Sequence, residues 1–458
     1  MTSVLGGAAD AAATGFNGHA ANRRYAWYAV SVLTLVQVVS YIDRFLPSLL
    51  IADIKRDLAL SDFQVGLLLG PAFGLFYVFV GVPLGWLADR VSRRGLLSAG
   101  IVVWCAMTTA AAFARGFFPL FGTRLGVGLG EAVVAPCSIA LVNDYFPRRE
   151  SARAISLFMA GTFIGAGSAF LFGGPIVHAI AALPPLEIPG VGFLRPWQMA
   201  FAMIGLPGLL LSLLVFTVRE PLRQDRIAGL SSEAKPSLRV AVGYVCARWR
   251  AFGTLFFASA TVTCLSALAF WNVAVFERNW GWNVREVGIA TGLLYFIGGP
   301  IGTMLGVHLM NRGLAQSRPD ATLRALLVGL FIAVPAFALY AQMPTGELAI
   351  ACLLIAFIGQ ALATAAGPSS LSLIAPGQIR SQSVALYYLV IGVFGQLLGP
   401  PPVGLLTDLL GDPSYLRHAM TLEAAVLGSA ALVVVAMGMR HFRAASHELE
   451  IAGAEPVR

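Results

Sequence analysis

The chain has 458 residues, 57% of them hydrophobic and 12% charged, with a formal net charge of +8. A soluble domain carries about 25% charged residues, and the mean hydropathy of +0.77 points the same way. A soluble globular protein is therefore excluded, and lipid is the expected solvent of most of the surface. The five cysteines are scattered without a C-x-x-C pair or a histidine cluster, so neither a disulfide framework nor a metal site is expected.

Residues 1–24 form an Ala- and Gly-rich tail, expected to be disordered and lacking the basic start of a signal peptide. Beyond Arg23 and Arg24, twelve apolar runs reach the roughly 20 residues needed to cross about 30 Å of hydrocarbon. They lie near 25–51, 62–88, 95–114, 117–143, 153–180, 197–218, 250–277, 285–310, 321–342, 347–374, 381–410 and 416–439. Lengths above the minimum imply tilted helices. The longest polar connection, Arg219 to Arg250, separates six runs from six. It predicts halves over 25–218 and 250–441, a linker with some helix over 219–249, and a tail over 442–458. With both termini in the cytoplasm, 22 Lys and Arg fall inside, 7 outside and 2 within runs. This positive-inside bias accounts for the net charge without a nucleic-acid partner.

Span one carries Tyr41-Ile42-Asp43-Arg44, and span four carries Arg124, Gly128, Gly130 and Glu131. Asp43 lies about 24 Å above Trp27, and Arg124 about 10 Å below Phe117. The two depths coincide in the outer half of the bilayer, which predicts an Asp43–Arg124 pair. Glu131, seven residues on from Arg124, shares its helix face about 10 Å deeper. Charges in hydrocarbon cost at least ~2.5–3.5 kcal/mol each, so they face a polar cavity or one another. Asp43, Arg124 and Glu131 are the candidate proton-coupling residues. Arg44, about 100° around the helix from Asp43, either lines the substrate cavity or turns outward to the interface.

The loop after span two reads Gly85-Trp86-Leu87-Ala88-Asp89-Arg90-Val91-Ser92-Arg93-Arg94. It resembles motif A of the major facilitator superfamily, with Ser92 where that motif has Gly. Asp89 is expected to face the positive N-terminus of span eleven, with Arg90, Arg93 and Arg94 closing a cytoplasmic charge latch; charges that only fix topology are the alternative. Span four, Leu120 to Ala132, resembles motif B. Gly395-x-x-x-Gly399-Pro400 in span eleven resembles the Gly-Pro signature that antiporters carry in span five; a bend at proline is the other explanation.

Taken together, Ser40 to Arg44, the motif A string, Arg124 to Ala132, Pro136 and Asn143-Asp144-Tyr145-Phe146-Pro147 resemble the spinster family. The resemblance covers the N-terminal half and implies a bacterial inner-membrane member. The implied fold is all-α: the major facilitator fold, twelve transmembrane helices in two pseudo-symmetric six-helix halves. The implied function is alternating-access transport of amphipathic lipids, lysophospholipid or sphingolipid-like, driven by protons. An organic-anion/proton symporter and a multidrug/proton antiporter remain alternatives.

The C-terminal half offers sparse polar groups in an apolar setting, suited to an amphiphile: Asn272, Tyr295, Gln360, Ser369, Ser370, Tyr387, Tyr388 and Gln396. Interhelical hydrogen bonding is the competing role of each. Glu277-Arg278 reads as an outer gate or an interfacial pair. No P-loop, dinucleotide fingerprint or nucleophile constellation is present, so no cofactor and no enzyme are expected. The expected partners are the amphipathic substrate, protons and membrane lipid, with the chain a monomer.

Overall fold

The computed structural model describes residues 23–88, 90–189, 192–221 and 238–454. Asp89, most of the N-terminal tail and the middle of the linker lie outside the described residues.

Among the described residues, twelve helical spans are long and apolar enough to cross a membrane. Spans one to six are Arg23–Leu49, Asp62–Gly81, Arg93–Ala111, Phe117–Tyr145, Arg153–Ala181 and Pro196–Phe216. Spans seven to twelve are Trp249–Trp280, Val284–Ala315, Ala321–Gln342, Gly346–Ile374, Gln382–Leu410 and Pro413–Ile451. The even number leaves both ends of the described chain on one face, called here the terminus face; the other is the far face.

Local sequence explains where spans begin. Ser61 accepts from the Gln64 amide and Gln64 returns the bond to the Ser61 amide, a capping box that opens span two on the far face. Asn283 and Glu286 do the same for span eight. Between spans five and six, on the far face, β1 (Leu186–Ile188) pairs antiparallel with β2 (Gly192–Leu194), Leu186 opposite Leu194.

Two spans are broken where the sequence predicts continuous helix. Span seven passes from α-helix through a tight 3-10 turn, Leu268–Trp271, and resumes at Asn272. Span eleven opens into a π-turn, Val393–Leu397, just before Pro400. Proline lacks an amide hydrogen and clashes with the preceding turn, so the widened turn before Pro400-Pro401-Pro402 has a local cause. The helix of span twelve runs on through most of the tail, to Ala454.

The halves meet through spans five and eight and through spans two and eleven. Backbones touch there: a Cβ at Gly174 would stand 2.9 Å from Gly288 Cα, and one at Gly404 would stand 2.2 Å from the Asp62 carbonyl oxygen. Small residues permit such approach in membrane helices.

Toward the far face the apolar core is continuous across both halves. Phe45 of span one packs on Phe170 at 5.1 Å, on Phe270 at 5.0 Å and on Tyr295 at 5.8 Å, and Phe170 stacks on Tyr295 at 5.8 Å. A second core, holding Trp104, Phe158 and Val215, belongs to the N-terminal half alone. At the terminus face the ion pairs among the described residues stay within one half: Arg23–Glu150, Arg93–Asp144, Arg248–Glu448, and Asp320 with Arg324 and Arg443. The halves are thus sealed at the far face.

Candidate functional site: a buried charge cluster and a far-face latch

Spans one, three and four bring four charges together inside the N-terminal half. Asp43 and Arg124 form an ion pair at 3.6 Å. Arg44 and Glu131 form a closer one at 2.9 Å. All four residues are buried. Ser40 donates to Glu131 at 2.6 Å, and Thr108 stands within 3.0 Å of both Asp43 oxygens.

Arg44 does not turn outward. Its guanidinium lies 4.7, 4.4 and 4.7 Å from the ring centres of Tyr41, Phe73 and Tyr77. The aromatic faces and Glu131 hold it inside, a more favourable setting than snorkelling to the interface. Neighbours on a helix can therefore both face inward when two partners on another span receive them.

The cluster is incompletely bonded. Among the described residues, Glu131 Oε1, Arg44 Nε and Arg124 Nε have no hydrogen-bond partner, and Arg124 Nη1 has only its long ion pair with Asp43. Buried polar groups are normally satisfied, so these atoms mark a site able to exchange partners. Gly128, on the same helix, lets span four touch span two: a Cβ there would lie 2.1 Å from the Phe73 carbonyl oxygen.

At the terminus face, the motif A arginines are held by their own half. Arg90 lies over the Trp86 ring. The Arg93 side chain pairs with Asp144, and its amide donates to Glu220 at 2.8 Å. Arg94 faces the Phe216 ring at 5.7 Å. Gly85 is half-buried near Pro136. The Asp89 contact to span eleven lies outside the described residues.

The polar residues of the C-terminal half separate into two groups. Gln396, in the π-turn, has its Cβ 3.2 Å from where a Gly74 Cβ would stand, so it borders the other half, and its Oε1 is unpartnered. Tyr295 belongs to the aromatic seal. Five of the others point within their own half, and Tyr388 is exposed. Asn272 accepts from Tyr340 at 3.1 Å, Gln360 donates to Ser266 at 2.7 Å, Ser369 and Ser370 bond their own helix, and Tyr387 is buried against Phe256.

The far face carries a latch. Asp62, at the start of span two, is paired with Lys55 at 2.7 Å and with Arg278 of span seven at 2.7 Å. Asp408, at the end of span eleven, accepts from the amides of Asp62 and Phe63 at 2.9 and 2.8 Å. Arg278 thus reaches across to the N-terminal half, and Glu277 and Arg278 together line a cavity of about 470 Å³ beside Lys55 and Arg56.

Sequence reasoning missed Asp62, Asp408, Thr108 and Glu423. A signal for Asp408 was present. Pro402-x-Gly404-x-Leu406-x-Asp408 repeats Pro83-x-Gly85-x-Leu87-x-Asp89 at the opposite end of the partner helix. Glu423 is a lone acid in the apolar run of span twelve.

Residues 33–400 match the family model described as Major Facilitator Superfamily. An MFS-type efflux pump of Mycolicibacterium smegmatis is 29% identical over 428 residues, covering 90% of each chain. Protein spinster of Drosophila melanogaster is 24% identical over 67% of this chain, which spans about half (51%) of that protein's length. A probable L-galactonate transporter of Escherichia coli is 29% identical over 40% of this chain and 37% of its own. Among solved structures, a bacterial homolog of the human lysosomal transporter spinster, inward-facing and unoccupied, superposes with a TM-score of 0.76. It is 24% identical, over 93% of this chain and 98% of that one. With twelve apolar spans in two halves and a family model covering most of the chain, this is a multi-pass transporter belonging to the Major Facilitator Superfamily.

Proposed function

We propose that the chain is a proton-coupled transporter of an amphipathic, lipid-like molecule, working by alternating access in a bacterial inner membrane with both termini cytoplasmic. The observation carrying this reading is the buried set Asp43, Arg124, Arg44 and Glu131 with its unsatisfied atoms. An ionised carboxylate without a counter-charge in a low-dielectric interior is too costly to persist and takes up a proton instead. Any shift of span one against span four that parts Asp43 from Arg124 therefore loads a proton, and the reverse shift expels it. Tyr41, Phe73 and Tyr77 around Arg44 give the site an apolar wall beside a charge, the combination that suits an amphiphile. A lipid cargo is what the resemblance to the spinster family implies, and the likeness to a mycobacterial MFS-type efflux pump agrees with outward movement.

The open donors of Arg124 favour one further reading, symport of an organic anion whose carboxylate binds there; it agrees with the likeness to the L-galactonate transporter. One experiment separates the two. Proteoliposomes with an imposed pH gradient are offered labelled lysophospholipid, galactonate or a cationic dye. Gradient-driven movement of the lipid, abolished in Asp43→Asn at normal expression, supports the proposal. Movement of galactonate alone selects the symporter, and undiminished gradient-driven transport by Asp43→Asn removes the coupling role.

A further inference from the structure

Glu423 of span twelve is buried, and neither carboxylate oxygen has a hydrogen-bond partner among the described residues. It belongs to the C-terminal half, away from the four-charge cluster. Its helix packs beside the tight turn of span seven. One turn before it, Met420 meets the hydroxyl of Tyr340, which also bonds Asn272, the first residue after the tight turn in span seven. Cys264 of span seven donates its thiol to the Phe394 carbonyl inside the π-turn of span eleven, which ties the two breaks together. Mid-helix 3-10 and π segments commonly mark hinges and functional sites. The Asn272 side-chain nitrogen is also left without a partner.

Among the described residues, no neighbouring element supplies a counter-charge. Span seven faces this region with Cys264 and Asn272; its charged residues are Arg250 at one end and Glu277 and Arg278 at the other. Span nine carries only Arg324, bound to Asp320 at the terminus face. Span ten carries only Glu347, in its first turn. The far half of span eleven carries only Asp408, held by span two. Tyr340 and, at the exposed entry to span twelve, Tyr415 complete the titratable groups, with Arg417 and His418 on Glu423's own helix.

An isolated ionised carboxylate cannot be kept in such a place. We propose that Glu423 is a second proton-binding site, a neutral carboxylic acid in this conformation, poised at the hinge of spans seven and eleven to ionise when the far face opens. The inference goes beyond the proposed coupling at Asp43 and needs neither that coupling nor a known substrate.

Infrared spectra of the full chain in lipid vesicles test it. The wild type should show a protonated-carboxyl band at neutral pH that is absent from Glu423→Gln and kept by Asp43→Asn. Glu423→Asp should retain a displaced band, which guards against misfolding of the glutamine variant. In an Arg278→Ala, Asp408→Ala background, where the far-face latch is broken, the pH at which the band vanishes should move by a unit or more. Wild-type spectra that lose no band in Glu423→Gln would overturn the site. A band with the same titration in both backgrounds would overturn its link to opening.

Discussion

Asp408, the last acid of span eleven, accepts hydrogen bonds from the backbone amides of Asp62 and Phe63, so one half of the protein caps the first turn of a helix in the other. Exposed amides at a helix start carry partial positive charge and favour an anion. The cap exists only while the far face is closed.

Removing the cap should therefore favour far-face opening. Asp408→Ala is expected to weaken the closed state by about 0.5–2 kcal/mol, the scale of a lost N-cap. In a protein freed of its native cysteines, Ala274→Cys in the far-face cavity should then label several-fold faster with a membrane-impermeant thiol reagent. Equal labelling rates with and without Asp408 would refute the latch.

Gly404 sets the distance at which that cap works. A Cβ there would stand 2.2 Å from the Asp62 carbonyl oxygen, a backbone atom that cannot swing aside. Gly404→Val should keep spans two and eleven apart and trap the protein open on the far side. Fast Ala274→Cys labelling together with lost transport would show this; a variant that labels slowly and transports normally would contradict it.

Thr108 positions Asp43 without being charged. Thr108→Val should destabilise the folded protein by about 1–3 kcal/mol, the cost of a buried acceptor losing its donor, while Thr108→Ser restores it. Thermal unfolding in detergent measures the loss. Transport per folded molecule should fall in Thr108→Val and recover with serine, an outcome that a purely packing role for the methyl group does not give.

Asp320, on the terminus-face loop before span nine, gives a pH dependence with a definite sign. Burial pushes its carboxyl up, but hydrogen bonds from Arg443 and Arg324 outweigh this and hold it below the usual carboxylate range. Its contribution to stability is thus full above the ordinary aspartate value of about 3.9 and is lost as pH falls through the lower folded value. Asp320→Asn should lower the melting temperature at pH 7, and the difference from wild type should shrink steadily in acid. A difference that does not change with pH would assign the loss to packing.

The spans and their division into halves were legible because hydrocarbon imposes a length and a composition on every crossing. The Asp43–Arg124 pairing was legible from helix rise alone. The partner of Arg44 was not, because an angle around one helix says nothing about what a neighbouring helix presents to it. Asp408 escaped because its ligands are backbone amides, which have no side-chain signature, although its spacing to Gly404 and Leu406 repeats that of Asp89 to Gly85 and Leu87. Glu423 escaped because one acid within an apolar run does not disclose whether it meets lipid, water or a hinge. The break in span seven is likewise tertiary, because the tight turn at Leu268–Trp271 contains no proline or glycine, whereas the one in span eleven has its cause in the prolines that follow it.

The charges of Asp43, Arg44, Arg124 and Glu131 sum to zero. An electric field therefore does no net work on the empty cluster when its half rocks. One bound proton changes the sum to +1, and the field then contributes about 2.3 kcal/mol per 100 mV for a full crossing. On the proposed coupling, the resting voltage of the cell would act on the cluster only in its proton-loaded form, so the four residues proposed to hold the proton would also decide which limb of the cycle is electrical.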